Sequence, residues 1–366
     1  MEQITILSSS EAPISVSNKL VIKFREFLPK KGYFISLFKN AGISILSMVV
    51  FLLIWQFGSA YLYNIEAQVK IEKAMSAGGA TAAKEVEACI HSGAVSCQPN
   101  TLPSPSQVWI ALQSLITDHQ IIREKKAAFY AKVSATNAQR KSEGLKAIKY
   151  TGRPSFVDQI LTSLKTVLVG FIIALLIAVP IGIIIGLNSN LRTAFNWLIQ
   201  IFKPVSPVVW LLLVFMIVKT LTLNSDLDTS FIISSISVGL CAMWATLVNT
   251  SVGVSSVNRD YLNVAKVLNL GLFKKIFKVI LPSAIPLIFV GLRITVSVAW
   301  MVLIAIELLA QSPGLGSFVW EEFQNGANDS NAKIIVAMFV IGVIGFMLDR
   351  IMFYIQRSAS FEKTLA

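Results

Sequence analysis

Long apolar runs alternate with short charged segments along this chain. Residues 40–65, 166–191, 204–218 and 229–258 carry no charge, and two further runs, 280–310 and 334–354, hold very few. A helix that crosses a bilayer needs about 20 mostly apolar residues, at about 1.5 Å of rise each. The pattern therefore predicts six membrane-spanning helices and an all-α polytopic membrane protein. The third run is the shortest and is bounded by Lys203 and Lys219. Pro180 interrupts the second. Pro282 opens the fifth, where a missing N–H costs little.

One long polar segment separates the first two runs. Residues 66–92 are rich in Ala, Glu and Lys and read as helix, interrupted at Gly78-Gly79. Pro99, Pro103 and Pro105 then break the chain. A second polar helical stretch, 106–150, ends before Gly152 and Pro154. Neither stretch has the apolar residues for a core of its own, so they pack on each other or on a partner. The division that follows is a leader at 1–40, a first span at 41–63, a helical insertion at 64–162, a transmembrane core of helices two to six at 163–356 and a tail at 357–366. Within the core, residues 256–280 form a loop between spans four and five.

Composition agrees with a membrane location. Hydrophobic residues are 54% of the chain and charged residues only 14%, against about 25% charged in soluble domains. A soluble enzyme and a disordered chain are both excluded. Basic residues exceed acidic ones by 12, which in a soluble protein would suggest nucleic acid. Here the excess reports topology. With the N-terminus inside, the leader, the inner loops and the tail hold fifteen Lys and Arg, and the short outer loops hold only Lys219 and Lys333. Both termini are then cytoplasmic. The insertion lies outside, and its 12 basic and eight acidic residues do not count, because long loops translocate largely regardless of charge. The leader is too long for a cleaved signal peptide.

Cys89 and Cys97 lie in the outside segment, where an oxidising compartment permits a disulfide; two free thiols are the alternative. Only His91 is near them, so a metal site is not expected.

The loop at 256–280 is the most informative segment. Leu262, Ala265 and Leu268 fall at helical spacing, and a breaker and a basic stretch with Lys274, Lys275 and Lys278 follow. A helix that leaves the membrane with an apolar face must bury it on lipid or on a cytoplasmic partner. This loop resembles the coupling loop of the permease subunits of bacterial ABC importers. Their pattern is Glu-Ala-Ala, three residues, Gly, nine residues, Ile, one residue, Leu-Pro. Here it reads Asn263-Val264-Ala265, then Asn269, Val279 and Leu281-Pro282, with Asp260 and Leu268 beside it. Asn replaces both Glu and Gly, and Asn tolerates the left-handed conformation that the turn needs.

Further stretches sharpen the resemblance. They are 205–218, 247–254, Gly291-Leu292-Arg293, Ala299-Trp300, Glu307-Leu308-Leu309-Ala310 and the run Pro313-Gly314-Leu315-Gly316 that continues to Gly326. Together they resemble the nitrate/nitrite branch of the nitrate/sulfonate/bicarbonate importer permeases over about 155–360. Residues 66–98 and 119–152 are extra length. The resemblance implies a MetI-like type I permease of the bacterial inner membrane that pairs with a second permease copy. It also implies two cytoplasmic ATPase subunits, which bind ATP and Mg, and a periplasmic or lipid-anchored substrate-binding protein. This chain has no G-x-x-x-x-G-K-[ST] phosphate loop, so no cofactor and no enzymatic activity are expected of it.

Charges within spans point to function. Arg293 lies about 17 Å into the fifth span at about 1.5 Å per residue, and its guanidinium fork suits a small anion. Asn249, Thr250, Trp300 and Lys165 join it as candidate pathway residues. Glu307 would repel an anion and is expected to hold a cation, with Lys219 or Lys165 as partner, in a gate or a structural pair. Asp349 and Arg350 anchor the inner end of the sixth span. The expected function is import of nitrate or nitrite by alternating access. Sulfonate or taurine, bicarbonate and cyanate are the alternatives within the class, and a non-conducting scaffold lies outside it.

Overall fold

The computed structural model describes residues 31–93, 97–222 and 228–359. Residues 1–30 of the expected leader and 360–366 of the expected tail lie outside them. The chain divides into two units, one ending at Tyr61 and one beginning at Leu62. Helix α1 (Lys31–His91) contributes to both. In the first unit its side chains Ile43, Leu46, Phe51, Ile54 and Phe57 are all exposed, as suits a span facing lipid.

The second unit has only helices as regular elements among its described residues. It contains the rest of α1, then α2 (Pro105–Ser142), α3 (Phe156–Leu187), α4 (Ser189–Phe202), α5 (Pro207–Leu221) and α6 (Thr229–Ser255). It continues with α7 (Arg259–Val267), α8 (Leu272–Ala310), α9 (Leu315–Asn325) and α10 (Asn328–Ala359). Among the described residues five helices are long and apolar enough to cross a membrane, or six if the bent pair α4–α5 is one span. That pair contains the third expected apolar run and bends just ahead of it. Helix α5 has 15 residues, or about 22 Å, too short for a hydrocarbon core of about 30 Å. The amphipathic α4 precedes it at 99°. Phe202, Trp210 and Trp244 cluster at the corner, with ring centroids 5.9–6.3 Å apart.

Glycine at 79 reverses α1. Its backbone is non-helical, with φ 71° and ψ −166°, a conformation that only glycine adopts without strain. Gln98 shows the reversal. Its Oε1 accepts from Tyr63 Oη at 2.8 Å and its Nε2 donates to the Ile90 carbonyl at 3.3 Å. On a straight rod residues 63 and 90 would be about 40 Å apart. The Cys89–Cys97 bond, with Cα atoms 5.8 Å apart, closes the end of this hairpin.

Helix α2 starts at a Ser104–Gln107 capping box. It ends at Ser142, eight residues short of the expected Tyr150. Gly144 (φ 70°) turns the chain, with Leu145 N–H donating to the Arg140 carbonyl. Residues 145–150 then run back along the helix. The first half of α2 has a definite seat: Ala111 and Leu115 are buried in one core with Phe156 of α3, Phe318 of α9 and Ala332 and Val336 of α10.

The centre of the fold is α6, packed between α3 and α8. The contacting faces are small: Ser234, Ser237, Gly239, Ala242, Thr246, Thr250 and Gly253 of α6 are all buried. A Cβ at Gly182 of α3 would lie 2.7 Å from Thr250 Cβ, and one at Gly291 of α8 would lie 2.8 Å from Asn249 Cβ. Thr246 and Thr295 hydrogen-bond across α6 and α8 at 2.7 Å, and Thr295 Oγ1 also donates to the Ala242 carbonyl. Between lipid-bathed helices, such close approach and polar contact replace the hydrophobic drive available in water. Gly182→Leu is expected to force α3 from α6 and to cost about 1–3 kcal/mol or more by overpacking. Thermal unfolding of the detergent-solubilised protein would register it as a lowered midpoint, whereas Gly342→Ala, where a Cβ meets open space, would leave the midpoint in place.

Candidate functional site

The expected coupling loop begins with a compact helix. Asn258 caps α7 by accepting from Asp260 N–H at 2.9 Å. Asn269 ends it in the left-handed conformation, φ 51°. The Asn269 N–H donates to the Lys266 carbonyl and the Leu270 N–H to the Ala265 carbonyl, the paired bonds of a Schellman cap. Asn at 269 therefore does what a glycine would do there.

Around this helix the apolar residues divide. Ala265 is 2% exposed, and Leu262 packs against a core with Ile280 and Ala284. Tyr261, Val264, Val267 and Leu268 face outward and are 56–85% exposed. Of the apolar set marked by spacing, Leu262 and Ala265 thus hold α7 to its own chain, and only Leu268 looks out with the other three. Asn263 is also exposed. The basic stretch after Gly271 is not a separate helix. It enters α8 through a π-helical turn at Ile276–Ile280, placed just before Leu281 and Pro282. Pro282 has no N–H to give to the carbonyl four residues back, and a wider turn accommodates that loss.

Arg293 and Asp349 form a bidentate pair between α8 and α10. Nε donates to Oδ1 at 2.6 Å and Nη2 to Oδ2 at 2.8 Å. The guanidinium lies 5.4 Å over the Phe353 ring. The two side chains are 36% and 27% exposed, and they line an open cavity of about 330 Å³ with Val290, Ile294, Ser297 and Gln356. Pairing neutralises the charge that a span would otherwise carry. It occupies the Nε edge of the fork and leaves Nη1 without a partner among the described residues. Asp349, expected to anchor the inner end of its span, is instead the partner of Arg293; Arg350 lies over the Phe346 ring at 4.9 Å.

Glu307 pairs with no cation among the described residues. It is 1% exposed. Ser163 Oγ of α3 donates to both its oxygens at 2.8 Å, and Gly316 N–H donates to Oε2 at 2.9 Å. Leu315 N–H in turn donates to Ser163 Oγ at 2.8 Å. The segment Pro313-Gly314-Leu315-Gly316 wraps the carboxyl closely. A Cβ at Gly314 would come within 2.2 Å of its atoms, and one at Gly316 within 2.3 Å of the Ile304 carbonyl. The ion pair expected of Glu307 with Lys219 or Lys165 is not formed. Glu307 faces inward to α3 and the wrapping loop. Lys219 is on the exposed face of α5, over the Phe215 ring at 5.3 Å, and Lys165 is exposed on α3.

The remaining pathway candidates are not brought together. Trp300 is buried, and its Nε1 donates to the Ile341 carbonyl of α10 at 3.0 Å. Asn249 Nδ2 donates within its own helix to the Ala245 carbonyl at 2.8 Å. Thr250 is fully buried against Gly182. Trp300 and Thr250 pack between helices, and the Asn249 amide is used within its own. Two features escaped the sequence reading. The Ser163–Glu307–Gly316 knot joins residues 144 positions apart. A cavity of about 310 Å³ lies where α2, α3, α9 and α10 meet, lined by Asp118, Arg153, Gln159, Glu322, Asp329 and Lys333. Gly314 and Gly316, one residue apart and close after a span-embedded Glu, were the available signal for the first.

Glu307→Leu would strand the Ser163 hydroxyl and the Gly316 N–H in a buried place, at about 1–3 kcal/mol for each donor. Glu307→Gln keeps an acceptor oxygen and is expected to melt between the wild type and Glu307→Leu in a thermal scan of the solubilised protein. Equal midpoints for the two variants would contradict the hydrogen-bond account.

Residues 178–360, half of the chain, match the family of binding-protein-dependent transport system inner membrane components. The nitrate import permease NrtB of Synechococcus elongatus is 33% identical over 55% of this chain and 69% of its own length. The bicarbonate transport system permease CmpB of the same organism is 35% identical over 54% of this chain and 68% of its own. Among solved structures, the MetNI methionine ABC transporter in an inward-facing conformation aligns with 56% of this chain and 95% of that one, at 14% identity and a TM-score of 0.47. By the family match over residues 178–360, its likeness to NrtB and CmpB and its apolar helices, the chain belongs to the family of binding-protein-dependent transport system inner membrane components and is a multi-pass ABC permease subunit.

Proposed function

We propose that the protein is the permease subunit of an importer for a small trigonal oxyanion, nitrate first. Two copies pair, and each docks a cytoplasmic ATPase subunit that binds ATP and Mg. A substrate-binding protein delivers the anion from outside, both termini are cytoplasmic, and the 64–162 insertion faces the binding protein's side. The observation that carries this reading is α7. It is capped at both ends, fixed to its own chain by buried Ala265 and Leu262, and presents Tyr261, Val264, Val267 and Leu268 outward. A fixed helix with a large exposed apolar face is a docking element.

For the substrate, the relatives named for nitrate and for bicarbonate supply the class, and the Arg293–Asp349 pair supplies the chemistry. Nitrate is planar and singly charged, which suits the open edge of a guanidinium held in place from behind. Bicarbonate is the second reading. It shares that shape, and its hydroxyl could donate to the Asp349 carboxylate where nitrate has nothing to donate.

Three measurements test the proposal. Proteoliposomes holding the assembled importer should hydrolyse ATP faster with nitrate-loaded binding protein; stimulation by bicarbonate or taurine alone would sink the nitrate assignment. Val264→Arg with Val267→Arg should abolish co-purification of the ATPases without lowering the thermal midpoint of the permease. Because Ala265 is buried, a charge placed there would disrupt α7 itself and would not serve. Arg293→Lys keeps the charge but loses the fork, and transport is expected to fall at least tenfold (about 1.4 kcal/mol,) with assembly intact; wild-type rates in that variant would remove Arg293 from the path.

A further inference from the structure

The insertion is asymmetric in a way that the transport reading leaves unexplained. Its basic residues are concentrated at one end. Between residues 123 and 153 the chain has nine Lys and Arg and two acidic residues. The buried residues of α2 are Ala111, Leu115 and Ile122. None of the 20 residues after Ile122 is buried, so this half of α2 extends about 30 Å past its last core contact. It adds nothing to the core.

It is nevertheless a built structure. The returning segment is tied to it at several points. Asn137 Nδ2 donates to the Ile148 carbonyl at 3.1 Å, and Ile148 N–H donates to Asn137 Oδ1 at 2.7 Å. Arg140 Nε donates to the Lys146 carbonyl at 2.8 Å. Tyr150 meets the Phe129 ring edge-on at 5.5 Å. Two ion pairs, Arg153–Asp118 and Lys126–Asp158 (3.6 Å), fix the base. Ordering some 30 residues costs conformational entropy, and here that ordering yields only a stiff, basic arm. Arg123, Lys125, Lys132, Lys141 and Lys149 form no ion pair among the described residues.

We propose that this arm is a docking surface for the importer's substrate-binding protein, which meets it with a carboxylate-rich face. The proposal rests on the transport reading for the side of the membrane and for the existence of that partner. Charge complementarity names the chemistry, since seven net positive charges on a stiff projection favour an acidic surface and speed its encounter. A bilayer fits less well. Basic positions 123, 125, 126, 132, 140 and 141 share one half of the helix, but the opposite half carries Ala127, Ala128, Ala131, Ala135 and Ala138 and lacks the large apolar side chains that seat a helix in lipid. Tyr130, Leu145 and Ile148 are 38–50% exposed among the cations, a mixture that suits a protein contact.

The test uses the whole importer in nanodiscs of neutral phosphatidylcholine and its own binding protein. The binding-protein concentration for half-maximal ATPase stimulation is measured from low to high salt. The triple variant Lys132→Glu, Lys141→Glu, Lys149→Glu is expected to raise that concentration about tenfold or more at low salt, and to flatten the salt dependence seen in the wild type. Unchanged half-saturation and salt dependence would overturn the arm's role, as would a defect seen only in nanodiscs containing phosphatidylglycerol, which would assign the arm to lipid. The basal ATPase rate and thermal midpoint of the variant show whether it has folded. Failure of the transport reading looks different: the wild-type importer itself would then show no stimulation by any loaded binding protein. Labelling of Lys132→Cys from outside by a membrane-impermeant thiol reagent checks the side independently, and protection in intact cells would overturn the proposal.

Discussion

Within a bilayer no water satisfies a stray polar group, and lipid tails offer helices little reason to associate. Close contact between α6 and its neighbours α3 and α8 answers both problems. Glycines at 182 and 291 let main chains approach until side chains interlock, and the Thr246–Thr295 pair satisfies its own hydroxyls across the gap. The other elements hang on this layer. Helix α10 is held to α8 by Trp300 and the Arg293–Asp349 pair, and α9 is held through the loop that wraps Glu307.

The same constraint explains why the intramembrane charges look as they do. Arg293 and Glu307 lie on one helix and are handled in opposite ways. The arginine is partly open, with a carboxylate neutralising one edge of it. The glutamate is closed in by a hydroxyl, a backbone N–H and two glycines. A residue meant to meet a mobile ion must keep an open side, and one that fixes a loop must not. On geometry alone the first is fit for an anion path and the second is fit to anchor the loop ahead of α9.

What could be read in the sequence was local. Apolar runs located the long spans, adjacent glycines at 78 and 79 marked a break, and the Asn at 269 suited a left-handed turn. Each depends on a few neighbouring residues. What escaped was long-range or a matter of angle. Ser163 and Glu307 are far apart in the chain, and so are Arg293 and Asp349, so neither pairing leaves a periodic trace. The bend before the third apolar run was not legible, because an apolar run gives length but not direction, and a 99° turn after α4 leaves no mark in hydropathy. At α7, spacing found the amphipathic helix but not which apolar residues faced out, since Leu262 and Ala265 share its periodicity and are used for attachment.

The π-helical turn at Ile276–Ile280 has a mechanical consequence. It joins the short helical stretch after α7 to the 30 residues of Leu281–Ala310, about 45 Å of stiff rod. Whatever grips α7 therefore grips one end of a lever that runs toward the opposite face. A turn holding one surplus residue is also a place where such a rod can slip its register by a single step without breaking. The lever thus has a built-in clutch next to its handle, far from the pair that lines the anion's proposed way through.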